Sequence, residues 1–157
     1  MVEMAQLVVV RVRGTVNTRY DVRKTLELLK LRRLYSATIV PKDSYYLGML
    51  NLAKDHITWG EIDFETAKRL FVERGRTVEG KRVDESVAKA EGFEDLDRMI
   101  SSVVDGATKL NQLKKVKQYF NLSPPKGGFK RSTKKPFNAG GVLGENRQII
   151  SLVSRMI

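Results

Sequence analysis

The densest concentration of one chemistry lies at Ser123–Phe137, SPPKGGFKRSTKKPF, where five of fifteen residues are Lys or Arg and none is acidic. Cations this close repel one another until an anion neutralises them, so the stretch points to a polyanion. Pro124, Pro125, Gly127 and Gly128 exclude a regular helix or a central strand there. Gly127 and Gly128 also let the backbone approach a phosphate closely. Tyr119 and Phe120 precede the stretch, and Phe129 and Phe137 lie inside it. Such aromatics can stack on unpaired RNA bases beside Lys/Arg contacts to phosphate. Phe129 and Phe137 can equally anchor the segment onto the rest of the protein, and the sequence leaves both readings open.

Other chemistries find little support. There is no Cys, and His56 is the single His. Disulfides and thiolate catalysis are therefore excluded, and neither a zinc site nor a Ser-His-Asp triad is expected. Glu79-Gly80-Lys81 matches the bare E-x-K of some Mg²⁺-dependent nucleases, with Asp63, Glu65, Asp95 and Asp97 as possible companions. A three-residue pattern recurs by chance in a charged chain, however. Asp63 is better used as a helix cap, and Asp95 and Asp97 as a solvated helix face. Gly140, Gly141 and Gly144 form a GG-x-x-G, but no strand clearly precedes it. Only thirteen residues follow Gly144, and the Walker lysine is missing. These read as turn glycines. The run DESVAKAEGFEDLDRMI has helix-glycine-helix form, yet its second helix offers Glu94, Asp95 and Asp97 against Arg98, the wrong sign for a DNA groove. The expectation is a protein with no catalytic role, no metal, no cofactor and no small-molecule substrate.

The formal charge of +11 is segregated along the 157 residues. Residues 1–40 carry 8 basic and 3 acidic side chains, residues 41–105 carry 10 and 14, and residues 106–144 carry 9 and none. A basic start, an acidic middle and a strongly basic C-terminal region form the footprint of a nucleic-acid binder. A basic DNA-compacting protein would share that footprint. The longest apolar runs, such as Leu7–Val10, are too short to span a bilayer. The opening MVEMAQ lacks a signal pattern, so a soluble intracellular protein is expected.

These groups need positioning elements. AQLVVVRVRG, from Ala5, alternates as a strand, with Val8, Val10 and Val12 on one face and Val9, Arg11 and Arg13 on the other. That second face would present guanidinium groups. Thr18 and Asp21 suggest a capping box opening a helix that runs to about Arg33, with Val22, Leu26 and Leu29 inward. Lys30, Arg32 and Arg33 would then occupy its last turns and suit the helix dipole. YSATIVP is a second strand, Asp43 or Ser44 caps a second helix with Leu47, Leu50 and Ala53 inward, and HITWGEI is a third strand. Residues 1–62 thus read as a β-α-β-α-β core with both helices on one face of the sheet. Residues 63–106 read as an acidic helical block, with a helix capped by Asp63, a stop at Gly75, and further helices ended by Gly92 and Gly106. Residues 107–157 form a basic extension. TKLNQLKKVKQYF is a helix or an extended arm, and a final helix places Ile149, Leu152, Val153 and Met156 inward. Apolar residues on both sides of the basic stretch make it a tethered loop rather than a disordered tail.

Several motifs carry a resemblance. RVRG at Arg11–Gly14, LKLRRL at Leu29–Leu34, GMLN at Gly48–Asn51, ITWGEIDFETAKRLFVERG at Ile57–Gly75, LSPPKGGFKRST at Leu122–Thr133 and GGVLGENRQIISLVSRM at Gly140–Met156 resemble the L30 family of large-subunit ribosomal proteins, in its longer, archaeal-like form. Glu61 and Phe129 depart from the family pattern, which has Tyr and Met there. The resemblance implies an α+β fold. Its ferredoxin-like core would be a three-stranded antiparallel sheet ordered 3-1-2, with helices on one face. It implies rRNA binding in the cytoplasmic ribosome, with large-subunit rRNA, the 5S rRNA and neighbouring ribosomal proteins as partners. Carried over by position, the RNA-facing residues are Arg11, Arg13, Arg32, Arg33, Lys126, Gly127, Gly128, Lys130, Arg131, Lys134, Lys135 and Arg147.

Overall fold

The structure is a computed structural model and describes residues 6–14 and 16–157. Ala5, the expected start of the first strand, lies outside the described residues, as does the rest of the MVEMA segment. Strand β1 (Gln6–Arg11) lies between β2 (Ser36–Pro41) and β3 (Ile57–Glu61), antiparallel to both, with Val8 opposite Ile39 and Gly60. This is the expected 3-1-2 core. The sheet does not stop at three strands, however. Among the described residues it has six, in the order β4-β2-β1-β3-β6-β5. β4 (Phe120–Asn121) joins β2 antiparallel, β6 (Gly141–Glu145) joins β3 parallel, and β5 (Ser132–Pro136) runs parallel to β6. The added strands cover the free N–H and C=O groups that β2 and β3 would otherwise expose as edges. A two-residue strand, a Lys-rich strand and a Gly-rich strand have little β propensity, so none announces itself by pattern.

The two core helices lie on one face, as expected, but the other face is covered as well. Leu7, Val9, Val40, Ile57 and Trp59 pack under α1 (Tyr20–Leu28) and α2 (Ser44–Leu52), meeting Val22, Leu26, Leu29, Leu31, Leu50 and Ala53. Val8, Val10, Val12, Ala37 and Ile39 face a second layer built from α3 (Phe64–Arg69), α4 (Glu85–Ala90), α5 (Leu96–Val104) and α6 (Ile149–Met156). All six residues of β1 are buried, which is why Leu7–Val10 is continuously apolar rather than alternating. The β1 face expected to present guanidinium groups is therefore interior. Phe71 and Phe120, both fully buried, meet edge to face at 5.1 Å in the second layer.

Helix α1 is shorter than expected. Its N-cap is Arg19 with no side-chain cap bond, and Asp21 accepts the adjacent Val22 amide at 2.9 Å, so the Thr18 capping box does not form. It ends because Lys30 adopts φ +62°. The Leu31 amide then bonds the Leu26 carbonyl at 2.9 Å, while Leu31 is wholly buried. This is a Schellman-type ending in which an apolar residue pulls the chain into the core. Arg32 and Arg33 consequently sit in a turn and not on the last turns of a helix.

Other boundaries follow the sequence. Asp43 caps α2 through the Tyr46 amide (2.8 Å), and Asp63 caps α3 through the Thr66 amide (2.8 Å). α3 continues through a single π-helical segment, Leu70–Arg74, and stops at Gly75. Asp84 caps α4, and Asp95 caps α5 through the Arg98 amide (2.7 Å), a fixed role rather than a solvated helix face. Gly92 and Gly106 end these helices with positive φ. Residues 107–119 make one 3-10 turn, Leu110–Gln112, and then an extended arm that bridges Thr77 through Val116. Gly141 is not a turn glycine but opens β6. A Cβ there would run into the Lys135 carbonyl, so only glycine allows β5 to lie alongside. Among the described residues no helix is long and apolar enough to cross a membrane.

His56 closes the exit of β1. Its carbonyl accepts the Val12 and Arg13 amides (2.9 and 3.2 Å), and its Nδ1 lies 3.1 Å from the Gly14 carbonyl. Burial pushes its imidazole below the ordinary histidine value; the Gly14 bond opposes this and the Arg13 charge adds to it.

Gly141→Ala should destabilise the protein by about 1–3 kcal/mol through overpacking. Gly48→Ala, in open space within α2, should stabilise it by about 0.5–1 kcal/mol; thermal unfolding of both variants reads the sign. Because the folded state disfavours charged His56, its contribution is complete above about pH 6.5 and is lost as the pH falls below that value. The stability difference between wild type and His56→Gln should narrow on acidification below that point, and parallel pH profiles would refute the assignment.

Candidate nucleic-acid interface

The turn at 29–36 is built from inside. Arg11 is buried (6% exposed). Its guanidinium donates to the carbonyls of Leu31 (3.1 Å), Arg32 (2.8 Å) and Arg13 (3.1 Å). Burial lowers its pKa from the usual value, yet arginine stays protonated. The Arg11 carbonyl accepts the Tyr35 amide (2.8 Å), and the Ser36 hydroxyl accepts the Arg33 amide (3.2 Å). With the turn clamped in this way, Arg32 and Arg33 are left exposed on its outer side.

The arm at 113–121 faces this turn. The Val78 amide bonds the Lys115 carbonyl (3.0 Å), the Lys117 amide bonds the Arg76 carbonyl (2.9 Å), and the Thr38 hydroxyl bonds the Gln118 carbonyl (2.8 Å). Between turn and arm lies a cleft of about 710 Å³. Its charged lining is Lys30, Arg32, Arg33, Lys114 and Lys117, with no carboxylate; Ser36, Gln118, Tyr119 and Asn121 are among the remaining lining residues. Lys117 Nζ stands 5.8 Å from the Tyr119 ring centroid.

The segment SPPKGGFKRSTKKPF borders this region and is held at several points. The Ser123 and Lys126 amides bond the carbonyls of Met156 and Arg155, each at 3.0 Å. Arg155 Nη1 donates to the Gly128 carbonyl at 2.7 Å. Gly127 and Gly128 are exposed, with φ +79° and +74°. Phe129 is half-buried, its ring 6.1 Å from that of Tyr35 in the first turn, and the Leu122 amide bonds the Tyr35 carbonyl (3.1 Å). The loop and the cleft are therefore neighbours. Arg131 donates to the carbonyls of Gly141 (2.9 Å) and Phe137 (2.7 Å), and its guanidinium lies 4.2 Å from the Phe137 ring centroid. Both aromatics thus anchor the loop. The second half of the segment is the edge strand β5.

The residues singled out from sequence fall into three positions. Arg32, Arg33, Lys126, Lys130, Lys134, Lys135 and Arg147 are exposed. Arg11 and Arg131 hold backbone carbonyls in place. Arg13 is half-buried and donates to the Asp55 carbonyl at 3.3 Å. Sequence reasoning missed Lys30, Lys114 and Lys117 as partners of Arg32 and Arg33. The run LKKVKQ was visible as charge, but its placement opposite the turn depends on β4 pairing with β2. Glu79 is exposed and pairs with Lys81 at 3.9 Å. Among the described residues no group of three or more His, Cys, Asp or Glu could hold a metal ion.

Residues 7–57 match the family model described as ribosomal protein L30p/L7e. The chain is 40% identical over 157 residues to the large ribosomal subunit protein uL30 of Korarchaeum cryptofilum, covering 99% of this chain and 97% of that protein. It is 41% identical over 156 residues to uL30 of Staphylothermus marinus, covering 95% and 96%. To uL30 of Saccharolobus islandicus it is 38% identical over 163 residues, covering the whole of both. The matched segment from β1 to the start of β3 is the element set that clamps the basic turn, and the similarity runs on through arm, loop and final helix: this chain belongs to the uL30 family of large ribosomal subunit proteins.

Proposed function

We propose that the protein is a non-catalytic structural constituent of the large ribosomal subunit, working in the cytoplasmic ribosome and binding rRNA through two adjoining basic surfaces. One is the cleft bearing Lys30, Arg32, Arg33, Lys114 and Lys117. The other is the loop and edge strand bearing Lys126, Lys130, Lys134 and Lys135, with Arg147 lying further out. The observation that carries this reading is a cleft of about 710 Å³ whose every charged lining residue is a cation, next to a loop with four exposed lysines and a glycine pair held open by Arg155. Polyphosphate is the ligand that such surfaces neutralise. Gly127 and Gly128 leave room for a phosphate against the backbone. Arg11 and Arg131 act as positioning residues behind the surface. Contact with the 5S rRNA and with neighbouring ribosomal proteins belongs to the same reading.

Two outcomes test it. With 6–10 phosphates neutralised, affinity for large-subunit rRNA should fall about 10³–10⁵-fold between 50 and 200 mM salt; binding indifferent to salt would overturn the proposal. Replacing Lys126, Lys130, Lys134 and Lys135 by Ala should leave the melting temperature in place and lower the salt slope by about one for every phosphate left without its lysine. Arg11→Leu should do the reverse. It leaves buried carbonyls without a donor and costs about 1–3 kcal/mol of stability, measured by denaturant unfolding, whereas the salt slope of the folded fraction stays as in wild type.

A further inference from the structure

The cleft between the 29–36 turn and the 113–121 arm holds more than a phosphate track requires. Cations alone suffice to follow a phosphate backbone, although Ser, Asn, Gln and Tyr side chains can also bond phosphate oxygens. Here the lining adds an aromatic ring, Tyr119, and two side-chain amides able to address a base edge, Gln118 and Asn121. Among the described residues the side-chain amides of Gln118 and Asn121 have no hydrogen-bond partner; only their backbone carbonyls are engaged. Each amide offers both donor and acceptor. The arm that carries Tyr119 and Gln118 is pinned by backbone bonds on both sides, so these groups are presented by a fixed frame.

We propose that this cleft takes a single unpaired nucleotide of the rRNA, extruded from its helix. The inference rests on the rRNA-binding reading above and names the ligand of that surface. The base lies against Tyr119, with its edge on Gln118 and Asn121. The flanking phosphates lie between Arg32 and Arg33 on one side and Lys114 and Lys117 on the other. Two features carry the assignment. The volume of about 710 Å³ falls in the range of sites that take one small ligand. Lys117 beside the Tyr119 ring offers a cation and a stacking surface together, the pairing that a stacked base with its phosphate uses. Sequence-specific RNA recognition works in this way, on splayed-out bases rather than on the unreadable A-form groove.

The test uses the full chain and a single-stranded RNA hexamer carrying 2-aminopurine at one internal position, alongside the same hexamer made abasic there and a hexamer duplex. Wild type should quench the 2-aminopurine, and should bind the intact hexamer about five- to a hundredfold more tightly than the abasic one. It should prefer both single strands to the duplex. Tyr119→Leu should abolish the difference between intact and abasic RNA, while Tyr119→Phe keeps it. Lys114→Gln with Lys117→Gln should lower the salt dependence and leave the abasic penalty in place. Equal binding of intact and abasic RNA by wild type would overturn the proposal and reduce the cleft to a phosphate track. That ratio needs no variant, so it decides even if Tyr119→Leu fails to fold. Retained salt-dependent rRNA binding with no abasic penalty sinks this inference alone, whereas loss of rRNA binding altogether sinks the reading on which it rests.

Discussion

A strand buried on both faces and paired on both edges needs four neighbours, and the placement of those neighbours around β1 (Gln6–Arg11) organises the protein. α1 and α2 cover one face, and they come from the first sixty residues. The other face presents Val8, Val10 and Val12, and residues 62–157 supply most of its cover. The acidic helical segment and the final helix are therefore part of one core with the sheet. Ile149, Leu152, Val153 and Met156 of α6 lie in the same apolar layer as Phe71 and Ile100. Covering that face from so far along the chain also carries the two most basic segments to the two ends of the sheet, where β4 and β5 form its outermost strands.

The same arrangement sorts the charge. Edge strands invite pairing with other chains unless lysine or proline blocks them. β5 carries Lys134, Lys135 and Pro136 at the outer edge, so the residues proposed to meet phosphate also keep the free edge from pairing. At the other end β4 ties the lysine arm to β2 and brings Lys114 and Lys117 opposite Arg32 and Arg33. Asp43, Asp63, Asp84 and Asp95 cap α2 to α5, and exposed pairs such as Lys68–Asp97 at 3.1 Å add little stability. The two signs thus occupy different parts of the surface without any strong ion pair holding them there.

The caps at Asp43 and Asp63, the stops at Gly92 and Gly106 and the inward face of α6 were readable because each depends on residues within one or two turns. The end of α1 was not. Lys30 takes φ +62° because the burial of Leu31 requires it, and a lysine in a left-handed conformation has no sequence signature. β5 and β6 were unreadable for a related reason: STKKP and GVLGE become strands only because β3 offers an edge to β6. At the site, the exposed lysines of the loop were legible as charge. Arg11 and Arg131 carry the same charge and do different work, since both guanidinium groups are occupied by backbone carbonyls.

The β-α-β-α-β succession of elements, most helix boundaries, the segregation of +11 into basic ends around an acidic middle and, through its motifs, the family all follow from the order of residues alone. Those properties are local or additive along the chain. The six strands, the two covered faces, the set of cations that reach solvent and the cleft between the 113–121 arm and the 29–36 turn arise only when the chain is folded. Burial and strand pairing are set by residues far apart in the chain, such as Ala37 against Phe120 and Trp59 against Glu145. A composition or a period read along one segment carries no information about which distant segment will lie beside it.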